Sequence, residues 1–261
     1  VQFIVPGFDS FAQASAVSLL FDRGQRPAAA DIRGLAQDHP DFSISFDPGS
    51  RAGGAGDRDQ ALCWLELLAS GLTFDLSGLA PGAGDVMPPR AHAYALAANV
   101  PDRPLEAITL SPGPHLAGGQ AMMPVVRCLA WLAARLAVLP GVRAVVWQSA
   151  RCWTGPDHFR TAVLRWMDGG AFPGLGLAAF AAMPDGAMQS EGLALFTGQE
   201  IRIEADPAID AASAVKLGLR LLHLLVESGP VLAPQILTLS GGVAVRLEPS
   251  TNGRYVRVWL D

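Results

Sequence analysis

The apolar positions of this chain change period several times, and the changes mark out its elements. Residues 14–22, ASAVSLLFD, form a beta-branched and aliphatic run that suits a buried strand. In the RPAAADIRGLAQDHP that follows, Pro27, Ile32, Leu35 and Ala36 recur at helical spacing and Pro40 ends the helix. DFSISFDPG then alternates Phe42, Ile44 and Phe46 on one face, a half-buried strand closed by Pro48 and Gly49. The chain therefore opens as strand, helix, strand.

Further along, ALCWLELLASGLTFDLSGL holds one or two elements whose period does not choose between helix and strand, while HAYALAANV and LEAITLS read as strands. Gly118 to Leu139 reads as a long buried helix ending at Pro140 and Gly141, and VRAVVWQS as a strongly beta-prone strand. PDHFRTAVLRWMDGG puts Phe159, Val163, Trp166 and Met167 on one helical face and stops at Gly169 and Gly170. LGLAAFAAM and EGLALFTG, separated by PDGAMQS, predict a hairpin, and IRIEAD a short strand. Asp206 followed by Pro207 predicts a capped helix running to Gly229 and Pro230, after which ILTLSGGVAVRLEPS and RYVRVWLD supply the last strands.

Strands and helices without a regular β-α-β period, with neighbours that look antiparallel, indicate an α+β fold of mixed, largely antiparallel sheets with packed helices. SRAGGAGDRD has the composition of a surface loop, and lacks the strand, spacing and helix of a phosphate-cradling loop. GLAPGAGDVMPPR is a second linker. It divides the chain near residue 85 into an N-terminal half, 1–85, and a C-terminal half, 86–261, packed together as one unit.

Composition narrows the partners more than the activity. The 261 residues are 50% apolar and 16% charged, which is globular, and the net charge of -5 offers no basic field, so nucleic acid is not expected as a partner. The longest apolar run, around Pro124 to Leu139, is interrupted by Arg127 and Arg135 and falls short of the ~20 residues of a membrane span. The first residues show no basic stretch followed by a long apolar one, so no secretory signal is expected. Cys63, Cys128 and Cys152 are odd in number and have no C-x-x-C spacing, which argues against a disulfide framework and a structural zinc, and for the cytoplasm.

Candidate chemistry concentrates in WQSARCWTGPDHF, Trp147 to Phe159. Cys152 sits just ahead of a predicted helix start and His158 in its first turn, where the helix would lower a thiol pKa and the imidazole would serve as base. A hydrolase or transferase would use that pair, with Arg151 or Arg160 holding an anionic substrate. The competing account is structural: Thr154 to Asp157 fits a capping box, with the threonine hydroxyl and the aspartate carboxylate closing the helix start. His92 faces either a cleft or a packing partner, and Glu191, Glu200 and Glu204 form either a paired-carboxylate site or solvated strand faces. His39, His115 and His223 stand apart in turns or on an apolar helix; no histidine-carboxylate cluster suggests a metal, and no cofactor motif is present.

PRAHAYALAAN, a buried helix, VRAVVWQSARCWTGPDHF, LGLAAFAAM with EGLALFTGQE, LLHLLVESGPVL and LEPSTNGRYVRVWL follow one another in an order that resembles the bacterial domain-of-unknown-function family number forty-two sixty-one. The resemblance covers residues 88 to 261 and, loosely, the first strand-helix-strand. Arg90, His92, Trp147, Pro156, Phe159, Gly198, Gly229, Pro230 and Arg254 occupy its motif positions, whereas Cys152 and His158 do not. It implies an uncharacterised bacterial protein and carries over no catalytic residue. The leading expectation is a non-enzymatic module that binds a protein partner or self-associates through strand edges or an aromatic patch of Trp147, Trp153 and Trp166. Small-molecule binding in a cleft between the halves near Arg90 and His92 is the further alternative.

Overall fold

The computed structural model describes residues 15–51, 64–207, 209–239 and 241–260. The extreme N-terminus, most of the glycine-rich loop after Ser50, and Cys63 lie outside those residues. The fold is α+β, with two mixed, largely antiparallel sheets of eight and six strands. In the first sheet the order is β2 (Phe42–Phe46), β3 (Leu65–Ala69), β4 (Leu72–Ser77), β6 (Leu105–Pro112), β1 (Val17–Asp22), β7 (Val142–Trp147), β8 (Cys152–Thr154), β5 (His92–Tyr94). In the second it is β12 (Gln235–Thr238), β13 (Ala244–Pro249), β14 (Tyr255–Leu260), β11 (Glu200–Ile203), β10 (Met188–Glu191), β9 (Ala179–Ala182).

The beta-branched and aliphatic run becomes β1, paired antiparallel on both sides with β6 and β7 and buried on both faces. The ambiguous ALCWLELLASGLTFDLSGL resolves as the β3–β4 hairpin, because Ser70 and Gly71 both take positive φ, 51° and 75°, the twist a two-residue hairpin loop needs. Helices α1 (Ala29–Asp38), α2 (Met123–Leu136), α3 (Pro156–Met167) and α4 (Ala211–Ser228) bury one stripe each, α2 and α3 on the first sheet and α4 on the second. Single helical turns lie at Gly174–Leu177 and Ala194–Thr197. Among the described residues no helix is long and apolar enough to cross a membrane.

Several boundaries move. The helix expected to start at Asp206 starts at Ala211, capped by the Asp210 side chain, which accepts from the Ser213 amide at 2.7 Å. The second hairpin strand, predicted over EGLALFTG, lies instead at Met188–Glu191, mostly within the expected turn PDGAMQS, because the chain turns at Gly192 into a helical turn.

The division near residue 85 is not a division of the fold. β4, on one side of it, pairs with β6 on the other, and β1 is enclosed between β6 and β7. The linker itself is pinned: Arg26 bonds Gly78 O, Gly82 O (2.6 Å) and Glu106 (2.8 Å), while the Asp85 amide donates to Ala107 O at 2.9 Å. The change of sheet falls instead between Thr154 and Ala179, and one hydrophobic core runs across it.

Candidate functional site

That crossing has an aromatic joint. Phe196 stacks on Trp147 (centroids 6.1 Å apart) and meets Trp166 and Phe172 edge-on at 6.3 and 4.8 Å. Trp147, Trp153 and Trp166 are only 1, 8 and 6% exposed, so they form no surface patch. Their bulk is spent on packing the two sheets and on a small second cluster with Leu20 and Val146.

Beside this joint the two sheets present edges to each other. β5 ends the first sheet and β9 ends the second, and between them lies a cleft of about 300 Å³ lined by residues 91–94, Cys152, Leu175, Gly176 and residues 178–180. β5 is held by parallel pairing with β8, His92 opposite Cys152 and Tyr94 opposite Thr154. The chain reaches β8 through Arg151, whose left-handed φ of 45° turns it out of the tight turn Gln148–Ala150. Arg151 and His92 then converge on one carboxylate of the other sheet. His92 Nε2 lies 2.9 Å from Glu191 Oε2, Arg151 Nη2 donates to the same oxygen at 3.0 Å, and Arg151 Nε donates to Oε1.

Burial pushes the Glu191 carboxyl up, but the hydrogen bonds and charges of His92 and Arg151 outweigh it and hold the group below its usual range. A carboxylate with a depressed pKa contributes stability that is present above its unfolded value, ~4.3, and is lost as pH falls through the folded value. Glu191→Gln is expected to cost about 1–2 kcal/mol at neutral pH. Denaturant unfolding from neutral to acid pH should show a shallower acid limb for the variant, converging on the parent where Glu191 is protonated. Parallel curves would show that Glu191 does not latch the sheets.

Cys152 lines the cleft but is 2% exposed, and burial raises its thiol; a contact with Thr154 Oγ1 at 3.7 Å acts against this, and the Glu191 charge adds to it. His158 is not its base. That imidazole packs on the Tyr94 ring edge, centroids 4.7 Å apart, and opens on a different cleft. A thiol driven toward its protonated form lacks what a nucleophile needs, and the imidazole opposite it in the β5–β8 pairing, His92, is engaged with Glu191. The expected capping box is also absent: Thr154 is buried in β8, and the N-cap is Gly155, without a side-chain cap.

Arg90 and His92 part company as well. Ala93 is opposite Trp153, and the Arg90 guanidinium lies over that ring at 5.6 Å, whereas His92 opens on the cleft. The three glutamates do not converge. Glu191 latches the sheets, Glu204 takes Arg202 and Arg257, and Glu200 is buried rather than a solvated strand residue. Among the described residues no group of histidines, cysteines and carboxylates could hold a metal. The His92–Glu191 pairing spans 99 residues, so no local pattern could announce it; nor could one place Gly176 and Phe180 on the opposite wall.

Fold and site together define an α+β protein of two packed sheets with a latched cleft between their edges. Comparison with family models, with curated proteins and with solved structures finds no match for this chain.

Proposed function

We propose that this protein is a non-catalytic binding module that receives an extended segment of a protein partner along the sheet edges bordering the β5–β9 cleft. The observation that carries the reading is the pair of open edges on one cleft. His92 N–H donates inward to Arg151 O at 3.1 Å and Tyr94 O accepts from Gly155 N–H at 3.1 Å, so alternation turns the N–H and C=O of Ala93 outward. On β9, the Met183 amide bonds Ala187 O at 2.8 Å, and the same alternation turns Phe180 and Ala182 outward. Ala91, Ala93, Gly176, Ala178 and Ala179 make half of the lining small, so an incoming backbone can approach between the larger His92, Tyr94, Cys152, Leu175 and Phe180. Main-chain pairing to an exposed edge is a common means of holding an extended segment. The raised thiol of Cys152 and its separation from His158 weigh against the hydrolase or transferase alternative.

We place the protein in the cytoplasm of a bacterium, in keeping with the free, buried Cys128 and Cys152 and with the resemblance of its motif order to an uncharacterised bacterial family. A net charge of -5 offers no basic field to a nucleic acid.

The test is selection of binders from a displayed library of random peptides, followed by amide exchange on the complex. Bound peptides should protect the Ala93 and Phe180 amides. Ala93→Pro, which removes an outward donor while sparing the bonds to β8, should weaken binding at least tenfold. Selected peptides that leave both amides unprotected, and bind Ala93→Pro as well as the parent, would refute the reading.

A further inference from the structure

A second cleft, of about 270 Å³, lies at the opposite end of β5, where Ala95 and Ala97 leave the strand, β7 begins and α3 starts. One of its walls carries two guanidiniums held by a single acid. Arg103 donates through Nε and Nη2 to the two oxygens of Asp22, the latter at 2.7 Å, and Arg143 donates through Nε to Oδ2 at 2.9 Å with Nη2 2.7 Å away. Two positive charges on one carboxylate leave one positive charge over, and among the described residues nothing accepts from Nη1 of either arginine. Asp22 also fixes the orientation of both planes. The ordering cost of a bidentate arginine contact is therefore met before any ligand arrives.

A carboxylate, Asp157 in the first turn of α3, brings the opposite sign to the cleft. Asp157 lines the cleft there, beside His158, and Asn99 adds a polar amide. Asp157 lies in the first turn of α3 and is not among the residues hydrogen-bonded or ion-paired within the described structure. The aliphatic part of the lining comes from Ala95, Ala97, Val100 and Val142. A simple anion would meet the arginines but also Asp157, and a simple cation the reverse. The ligand that satisfies both is a molecule carrying the two charges at once.

From this charge pattern we propose that the cleft binds a small zwitterion of amino-acid size. Its carboxylate bridges Arg103 and Arg143, its ammonium faces Asp157, and its side chain lies on Ala95, Ala97 and Val100. The site is separate from the β5–β9 cleft and does not depend on the function proposed for that cleft.

The experiment uses the whole chain and follows the amide resonances of Asp157 and His158 and the Nε resonances of Arg103 and Arg143. L-valine is compared with its two halves, acetate and methylammonium. Saturable shifts at these four residues, with L-valine binding at least tenfold tighter than either half, are expected. Arg143→Gln should weaken L-valine at least tenfold. Asp157→Asn, a change at the helix surface that leaves the Asp22 pair intact, should bring L-valine down to the affinity of acetate. Equal affinity for acetate and L-valine, no saturable shift, or indifference to both variants would overturn the proposal.

Discussion

Replacing Glu200 by alanine is expected to lower the stability of the fold by about 3–4 kcal/mol, among the largest losses a single side chain can produce here. Glu200 opens β11 and turns its carboxylate into the loop that follows β10. Its Oε1 accepts from the amides of Gly192 (2.9 Å) and Ala194 (3.0 Å), and its Oε2 from the Ser190 hydroxyl (2.5 Å) and the Leu193 amide (3.2 Å). Alanine would leave three amides and a hydroxyl buried without an acceptor, and each such group costs about 1–3 kcal/mol when relaxation does not recover it.

The loop also presses on the first sheet. Gly192, at a φ of 93°, would carry a Cβ 2.7 Å from the Ala150 Cβ, so the loop has little freedom to rearrange. Burial raises the Glu200 carboxyl, against the pull of Ser190 and the three amides. A raised folded pKa means that ionising Glu200 costs stability as pH rises from the unfolded carboxyl value through the folded one, a cost separate from the acceptor bonds that alanine removes. Thermal unfolding of Glu200→Ala should show the loss. A variant within about 1 kcal/mol of the parent would show that the loop satisfies itself in another way.

Gly155→Ala is expected to cost about 3 kcal/mol or more, although it adds one methyl and changes no charge. The added Cβ would stand 2.0 Å from the Ala95 carbonyl oxygen and 3.0 Å from its carbon, both backbone atoms. Gly155 is also where its amide ties the end of β5, through Tyr94 O, to the start of α3. To admit the methyl, β5 must lift from β8 or α3 must move. The predicted signature is a melting temperature lowered by roughly 6–12 °C, with the His92 and Gly155 amides losing exchange protection ahead of β1. Gly34→Ala is the control. It sits in α1 with nothing within 4 Å of the added Cβ, and alanine there should be neutral or stabilising by up to ~1 kcal/mol.

These two positions show how much of the molecule was legible beforehand. The aliphatic run of β1, the alternation of Phe42, Ile44 and Phe46, and the stripe of Phe159, Val163 and Trp166 on α3 were readable because the faces each element buries, both for β1 and one for the other two, are written in its own residues. Gly155 was not readable as critical, since its constraint is the Ala95 carbonyl arriving from another strand. Nor was Glu200, which looks like an ordinary polar residue at the edge of a strand.

The candidate site divides in the same way. His92 was visible as a residue worth placing, yet whether it met a cleft, a base or a carboxylate depended on Glu191, 99 residues away. Trp147 and Trp166 were visible as aromatic bulk, but whether they faced water or Phe196 depended on how the second sheet docks. Cys152 and His158 are six positions apart in the chain and open on different clefts, because the strand end and Gly155 come between them.

The sequence alone determined the α+β class and most of the strands and helices, since these follow from local periodicity and turn chemistry. The order of strands, the change of sheet after Thr154, the latch of Glu191 on His92 and Arg151, and both clefts were decided by tertiary structure. They depend on which open edge and which charge meet across the core, and chain-local patterns hold no record of that.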